Sequence, residues 1–437
     1  MSEERVRRYL RWLLVAIATC AMVNLAIVAF ALLRGESLET ALSASGLRWT
    51  PALLRRTESD SIKPMASAYT SQKKHGDIYR VLLNYGVKFQ YPPSALLLMK
   101  PLPEKPTARE ILDIWDLLSK ASLIAVIITI ISAAALWLKL ARPNLTGTMS
   151  WRSANALGAV IAIGVLGATY YPLTKGHNLG QIQVYLGAFS AAALLLQELG
   201  LRASSGICLG LCCLIKPQFA LLILWALLRR QFRFLTGFSL IVLLGLGLSI
   251  SEFGLKNHLR YLEVLHYLSR TGESYWPNQS INGLLNRFLE NGNAVDFQPF
   301  AFAPYHPVVY YATMASSALI LFLALFLPAA ASLKGRSLDL AVIMCAATMA
   351  SPIAWEHHYG AFFPIYAIAL VAAIQSRGRG FLLLASYALV SNELLRPDLV
   401  FANRWIGILG SHIFFGALLL FGFLLSVRAP TAHTICK

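Results

Sequence analysis

Long apolar stretches parted by short polar ones dominate this chain. The first apolar run extends from about Tyr9 to Leu33 and follows the charged start Met-Ser-Glu-Glu-Arg-Val-Arg-Arg. A helix that crosses a bilayer needs roughly 20 predominantly apolar residues. Further runs of about that length, several of them shorter, lie at 112–138, 153–172, 181–197, 234–252, 307–329, 338–351, 359–375, 380–394 and 405–427. The first run is too long for a secretory leader and has no small-residue cleavage site, so it reads as an uncleaved anchor.

The stretch 204–228 is apolar at both ends but carries Lys216-Pro217 in the middle. A lysine at mid-span costs on the order of 3 kcal/mol, less if it lines a polar cavity. Pro217 removes a helix donor at the same place. Basic residues flank the stretch on both sides, at Arg202 and at Arg229-Arg230-Gln231-Phe232-Arg233. Two basic ends predict a re-entrant hairpin of two short helices that turns at Lys216-Pro217.

Basic residues fix the remaining topology. An inside N-terminus puts residues 34–111 outside as a first large loop and residues 253–306 outside as a second. Lys139, Arg142, Arg152, Lys334, Arg336, Arg377, Arg379 and Arg428 fall at inside turns. The sum is about twelve membrane segments, two of them half-length. The predicted fold is an all-α polytopic membrane protein, a single integral membrane domain over 1–437 with helices in its outer loops. A bacterial inner membrane, with both termini cytoplasmic and the polar loops periplasmic, is the expected setting.

Composition agrees: 57% of 437 residues are hydrophobic and 14% charged, far from the soluble range. The net charge of +17 would suggest nucleic acid in a soluble chain. Here the basic residues sit at segment ends, so no nucleic-acid partner is expected. The cysteines show no paired spacing, and Cys212-Cys213 reads as small apolar packing.

The topology gathers the unusual polar residues at the outer face: Asp60, Asp77, Tyr91, Lys175, His177, Gln181, Lys216, Asn278, Gln279, Asn282, Arg287, Glu356, His357 and His358. Seven of the nine histidines join them, with His412 and His433 as the exceptions. Polar loops collect polar residues in any protein, but Lys216, set between Cys-Cys-Leu-Ile and Gln-Phe-Ala-Leu-Leu, needs a further reason.

Asp60, Ala66, Ala68, Gly76 and Tyr79, followed by Phe89-x-Tyr91-Pro92-Pro93, Leu96-Leu97-Leu98 and Pro101, resemble the first outer loop of glycosyltransferase family 87. Gly180-Gln181-Ile-Gln183, Gly206 to Lys216-Pro217, Asn278-Gln279-Ser280 and Trp355-Glu356-His357-His358 follow in the family's order. The family's aromatic residues after the first Asp are replaced here by Ser61-Ile62-Lys63-Pro64. The resemblance implies a GT-C bundle. It also implies a polyprenyl-phosphate-sugar-dependent hexosyl- or pentosyltransferase that moves mannose, or alternatively arabinofuranose, to a lipid or glycan hydroxyl with inversion. No cofactor is expected beyond the lipid-linked donor.

Such a transfer needs a carboxylate to take the acceptor proton and fixed cations to meet charge building on the departing phosphate. The family spacing selects Asp60 as base, with Lys63 nearby to hold it ionised. Asp77 is the fallback, although Gly-Asp before an ordered segment is also a capping pattern. Lys216 is the expected phosphate cation, against a snorkelling alternative. Glu356, His357, His358, Gln181, His177, Asn278, Gln279, Arg287 and Tyr91 are the remaining donor-binding candidates. Asn278-Gln279-Ser280 with Arg287 offers hydroxyl and phosphate partners. Tyr91-Pro92-Pro93 redirects the chain into the membrane. Adjacent histidines also suggest metal, but no second ligand group stands out and the spacing is not that of a known zinc motif, so no metal ligand is assigned and a divalent metal is not excluded. The competing class is a transporter or flippase of lipid-linked sugars, which would show internal repeats; none is visible.

Overall fold

The computed structural model describes residues 3–100, 108–140, 154–329, 333–375, 380–394 and 408–428. The basic turns at Arg142, Arg152, Arg377 and Arg379, and a short piece of the 34–111 loop, lie outside these residues. Among the described residues the architecture is helical, without a strand; two facing segments make one isolated bridge, Asn278 to Trp355.

Four single helices are long and apolar enough to cross a membrane: α1 (Glu3–Leu33), α5 (Ala108–Leu140), α11 (Phe232–Thr271) and α13 (Pro307–Phe326). A fifth span, Glu356–Ile374, joins a 3-10 turn (Glu356–Phe362) to α15 (Phe363–Gln375). A sixth arises if α6 (Ala154–Thr169) and α7 (Tyr171–Asn178), bent by 56° at Tyr170, count as one. Tyr170 is followed by Pro172, whose restricted backbone suits the first turn of a new helix and not the continuation of an old one.

By length and composition, five or six helices among the described residues are long enough to span, fewer than the twelve segments, half-length ones included, counted from sequence. The other apolar runs form shorter helices: α8 (Gln183–Glu198), α9 (Arg202–Ile215), α10 (Leu221–Leu228), α14 (Leu333–Met349), α16 (Gly380–Val390) and α17 (His412–Arg428). The first large loop is itself built of α2 (Leu38–Ala44), α3 (Ile62–His75), α4 (Arg80–Tyr85) and 3-10 turns. The second is not wholly a loop: α11 continues to Thr271 past a break at Gly254, where φ is 78°. It then leads to the short α12 (Ile281–Phe288).

The bundle is apolar outside as well as inside. Leu240, Leu243, Leu244 and Leu248 of α11 are exposed in a row, as are Leu117, Leu118, Ile124 and Ile128 of α5. In water such faces would have to be covered; in a bilayer they meet lipid.

The 204–228 stretch folds around its lysine. α9 ends at Ile215, and Lys216 takes an extended backbone (φ −130°, ψ 97°), the conformation favoured before proline. α9 and α11 run side by side in the same direction. A Cβ on Gly206 would lie 2.1 Å from Phe234 O, one on Gly237 2.0 Å from Ala203 O, and one on Gly245 2.3 Å from Leu214. Only missing side chains permit that backbone contact. α10, which joins them in sequence, runs back antiparallel to both. At 14 residues and 1.5 Å per residue, α9 reaches about 21 Å, short of a bilayer core of about 30 Å.

A buried ion cluster ties the base of this hairpin. Asp339 of α14 accepts from Trp225 Nε1 (2.8 Å), Arg229 Nε (2.8 Å) and Arg428 Nη1 (2.5 Å). Arg428 also donates to the carbonyls of Leu323, Ala324 and Leu327 at the end of α13. Those carbonyls are ones a helix end leaves without internal donors. Arg229, Asp339 and Arg428 belong to turns that the basic-residue reading placed on one side, and here they touch.

Candidate functional site

The opposite end of the bundle holds the predicted site. The strand-like segment 57–61 lies against the turn between α7 and α8. Glu58 N donates to Asn178 O (2.7 Å), Asp60 N to Leu179 O (3.0 Å), and Thr57 N to Asp116 Oδ1 (3.1 Å). The fit needs Gly180. Its φ is +66°, and a Cβ there would sit 2.1 Å from the Glu58 carbonyl oxygen.

Gln181 then holds the acid. Its Nε2 donates to Asp60 Oδ2 (3.3 Å), and its Oε1 accepts from Ser61 Oγ (2.9 Å). Ser61 Oγ in turn accepts from Ile182 N (3.0 Å) and lies 3.4 Å from the Tyr91 hydroxyl. Asp60 is exposed, yet the protein crowded around its carboxyl raises its pKa above the usual carboxylate value, and Glu58 adds repulsion. The bond from Gln181 and the charges of Lys63 and Lys175 pull the other way.

Tyr91 separates this acid from the lysine of the hairpin. Lys216 Nζ stands 5.4 Å from the centre of the Tyr91 ring and 3.1 Å from His358 Nε2. Tyr79 fixes Tyr91 from below: its hydroxyl donates to Tyr91 O (2.9 Å), and its ring stacks on Tyr261 (5.7 Å). Pro93 opens the 3-10 turn Pro93–Met99, and Ser94 Oγ donates to Leu214 O (2.5 Å) at the broken end of α9. The Tyr-Pro-Pro segment therefore seals the break that frees Lys216.

His358 meets His357 edge-on, with ring centres 5.0 Å apart. Behind them Glu356 is fully buried. Its Oε2 accepts from Lys175 Nζ (2.5 Å) and from the Tyr171 hydroxyl (2.8 Å), while Oε1 has no partner among the described residues. Lys175 Nζ also faces three rings: Trp276 at 4.8 Å, Tyr171 at 5.2 Å and Trp49 at 5.4 Å. Trp49 Nε1 donates to Glu393 (2.9 Å), which Arg48 also pairs (2.8 Å).

Other candidates are occupied elsewhere. Asp77 Oδ1 caps α4, accepting from Tyr79 N (3.0 Å) and Arg80 N (3.2 Å), and its Oδ2 pairs with Arg260 (3.3 Å). Asn278 spends its amide on Glu273 O, Pro352 O, Ser280 Oγ and Ala354 N. Gln279 donates to Trp276 O and Gly410 O. Arg287 donates to Trp276 O, Asn278 O and Ser411 Oγ. These three side chains tie three chain segments together. Asn282 does similar work, accepting from Glu273 N. His177 is buried between α5 and α7, with Nδ1 2.8 Å from Ser119 Oγ. His412, which the sequence reading set apart from this end, lies beside Ser411, a partner of Arg287, and accepts from Leu394 N (3.0 Å).

The structure thus brings Asp60, Gln181, Tyr91, Lys216, His357 and His358 to one place, with Glu356 behind. Ser61, Tyr171 and the aromatic box around Lys175 were not expected. Lys175 itself was among the polar residues that the topology gathered at the outer face, in the polar stretch Thr174-Lys175-Gly176-His177-Asn178 after Tyr170-Tyr171-Pro172. No group of three or more His, Cys, Asp or Glu gathers as a metal site among the described residues.

Spanning helices with a cluster of acid, amide, cation and imidazole at one end define an integral membrane protein with a polar site at the mouth of its bundle. A model of glycosyltransferase family 87 matches residues 89–352, more than half of the 437 residues. The chain belongs to glycosyltransferase family 87 and is a membrane glycosyltransferase, whose partners are a sugar donor and an acceptor. No curated protein and no solved structure matches it. Tyr91, His177, Gln181, Lys216, Asn278, Gln279 and Arg287 fall inside the matched region, whereas Asp60, Asp77 and Glu356 to His358 fall outside.

Proposed function

We propose that this glycosyltransferase takes its sugar from a polyprenyl-phosphate donor and passes it, with inversion, to a hydroxyl of a lipid or glycan acceptor. Mannose is the favoured sugar and arabinofuranose the other that the family resemblance suggests. The observation that carries the reading is the placement of Asp60 and Lys216 around one ring. The acid is linked to Tyr91 through Gln181 and Ser61, and the cation lies 5.4 Å from that ring's centre.

Asp60 accepts the proton of the attacking hydroxyl. Gln181 orients the carboxylate and its bond favours the ionised form. Lys216 receives the negative charge that develops on the leaving phosphate, with His358 beside it. His357 is close enough to share that role, and Glu356 with Lys175 holds the turn that presents both imidazoles. A lipid donor suits this position because its tail stays among the exposed leucines of the bundle while its phosphate meets Lys216. The fold read this way is a GT-C bundle of about twelve segments counting short and half-length helices, set in a bacterial inner membrane with the site periplasmic.

The test is sugar transfer in membrane vesicles from labelled polyprenyl-phosphate-mannose, with wild type and Asp60→Asn at matched expression. Transfer by wild type and a loss of at least ~100-fold in the variant supports the reading. Equal transfer by both removes Asp60 from the base role. No transfer by wild type, from either the mannose or the arabinose donor, removes the donor assignment.

A further inference from the structure

A cavity lies apart from the cluster around Asp60 and Lys216. It is an apolar cleft among α1, α5, α6, α15 and α16, lined by Tyr9, Trp12, Ala16, Ala367, Leu383 and Tyr387 among others. Its position along the bundle follows from α1 and α16, which rise together. Gly380 at the start of α16 lies against Trp12, and Asn392 just past its end accepts from Asn24 Nδ2 (2.7 Å). Twelve residues of helix separate Trp12 from Asn24, about 18 Å. Glu393, next to Asn392, is already part of the network around Trp49 and Lys175. The Trp12 end of the cleft, at the basic end of α1, is therefore roughly one leaflet away from the candidate site, while its other end, at Phe363, packs on Tyr170 (5.0 Å).

Its walls are apolar except for phenol hydroxyls. Tyr366 donates to or accepts from Ser386 Oγ (2.7 Å). Tyr9 and Tyr387 are more than nine-tenths buried, and neither hydroxyl has a partner among the described residues. A buried hydroxyl without a partner costs about 1–3 kcal/mol, so two of them in one cleft point to a ligand that supplies acceptors. Beyond the cleft, Arg5 stands one turn before Tyr9, and Arg8, in an exposed ion pair with Glu4 (3.4 Å), stands one turn before Trp12 on the same helix face. Side chains on a helix lean toward its N-terminus, which carries both guanidinium groups outward from the cleft mouth.

We propose that this cleft is a binding site for an anionic glycerophospholipid. One acyl chain fills the cleft, an ester carbonyl accepts from the Tyr9 hydroxyl, and the phosphate lies with Arg5 and Arg8. A polyprenyl phosphate fits less well, because its chain has no carbonyl to offer Tyr9. The site is distinct from the donor site and does not depend on the sugar specificity proposed above.

The experiment is native mass spectrometry of the full-length protein in detergent, with added phosphatidylglycerol or phosphatidylcholine of identical chains. The expected result is one tightly retained phosphatidylglycerol. Tyr9→Phe, which keeps the ring and the fold, should weaken retention about fivefold. Ala367→Trp should abolish it by filling the cleft. Arg5→Gln with Arg8→Gln should remove the preference over phosphatidylcholine. Unchanged retention in both Tyr9→Phe and Ala367→Trp overturns the site. Equal retention of the two lipids by wild type overturns the anionic assignment, and displacement by an equal amount of polyprenyl phosphate overturns the glycerolipid assignment.

Discussion

Gln181 grips two neighbouring residues at once: its Nε2 donates to Asp60 Oδ2 at 3.3 Å and its Oε1 accepts from Ser61 Oγ at 2.9 Å. One amide thereby sets both the direction of the acid and the position of the hydroxyl that reaches Tyr91. Because Asp60 is raised above an ordinary carboxylate and the Gln181 bond is among the influences that lower it, the amide also tunes the acid.

A pH profile tests this pair. A base must be ionised to act, so transfer should fall as pH drops through the raised pKa of Asp60, at a higher pH than an ordinary carboxylate would give. Gln181→Leu removes a lowering influence, so the acid limb should move to still higher pH, and transfer at neutral pH should drop about tenfold. An unmoved acid limb in the variant would separate Gln181 from the titrating group.

Lys216→Met keeps the length of the side chain and removes the charge. If the ammonium meets charge that grows on the leaving phosphate, kcat should fall by about 100-fold with a smaller change in KM. A change in KM alone would make Lys216 a ground-state binding group.

Asp77→Asn should leave transfer within about twofold, because the amide oxygen can still accept from Tyr79 N and Arg80 N as an N-cap. The lost pair with Arg260 is partly exposed and is worth under about 1 kcal/mol. A variant that folds normally but loses transfer would return Asp77 to the role of base.

Gly180→Ala forces a Cβ into the Glu58 carbonyl and strains a residue at positive φ, at a cost of about 1 kcal/mol or more. The damage should be concentrated where segment 57–61 docks. Thermal melting should fall modestly and transfer steeply, and a large loss of folded protein with normal specific activity would contradict that.

The broad fold was legible because hydropathy reports burial in lipid directly. The runs seen in sequence are the helices of the bundle, and Lys216-Pro217 marked the break between α9 and α10. Span number was less legible. Runs such as 181–197 and 380–394 are apolar enough for a membrane but form helices of 16 and 11 residues, and hydropathy cannot tell a short buried helix from a full crossing. At the candidate site, residues that carry an isolated anomaly in sequence come together in the structure: a lysine in an apolar run, and paired histidines in a tight turn. Asn278, Gln279 and Arg287 looked like ligand-binding groups because a polar side chain in sequence does not reveal its partner. In the structure their bonds tie the local 273–280 turn to Pro352 and Ala354 and to Gly410 and Ser411. The box around Lys175 draws on Trp49, Tyr171 and Trp276, too far apart in sequence to form a motif.

Asp339, held between Arg229 and Arg428, has a consequence for how the protein is made. Arg229 and Asp339 emerge from the ribosome well before Arg428, which follows Asp339 by 89 positions. Until α17 is inserted, the carboxylate has one arginine instead of two, and the carbonyls at the end of α13 lack the donor that Arg428 brings. The last described helix therefore acts as a closing latch. A chain stopped before it would carry every residue proposed for transfer yet leave the base of the Lys216 hairpin unfastened, a state that membrane quality control could recognise.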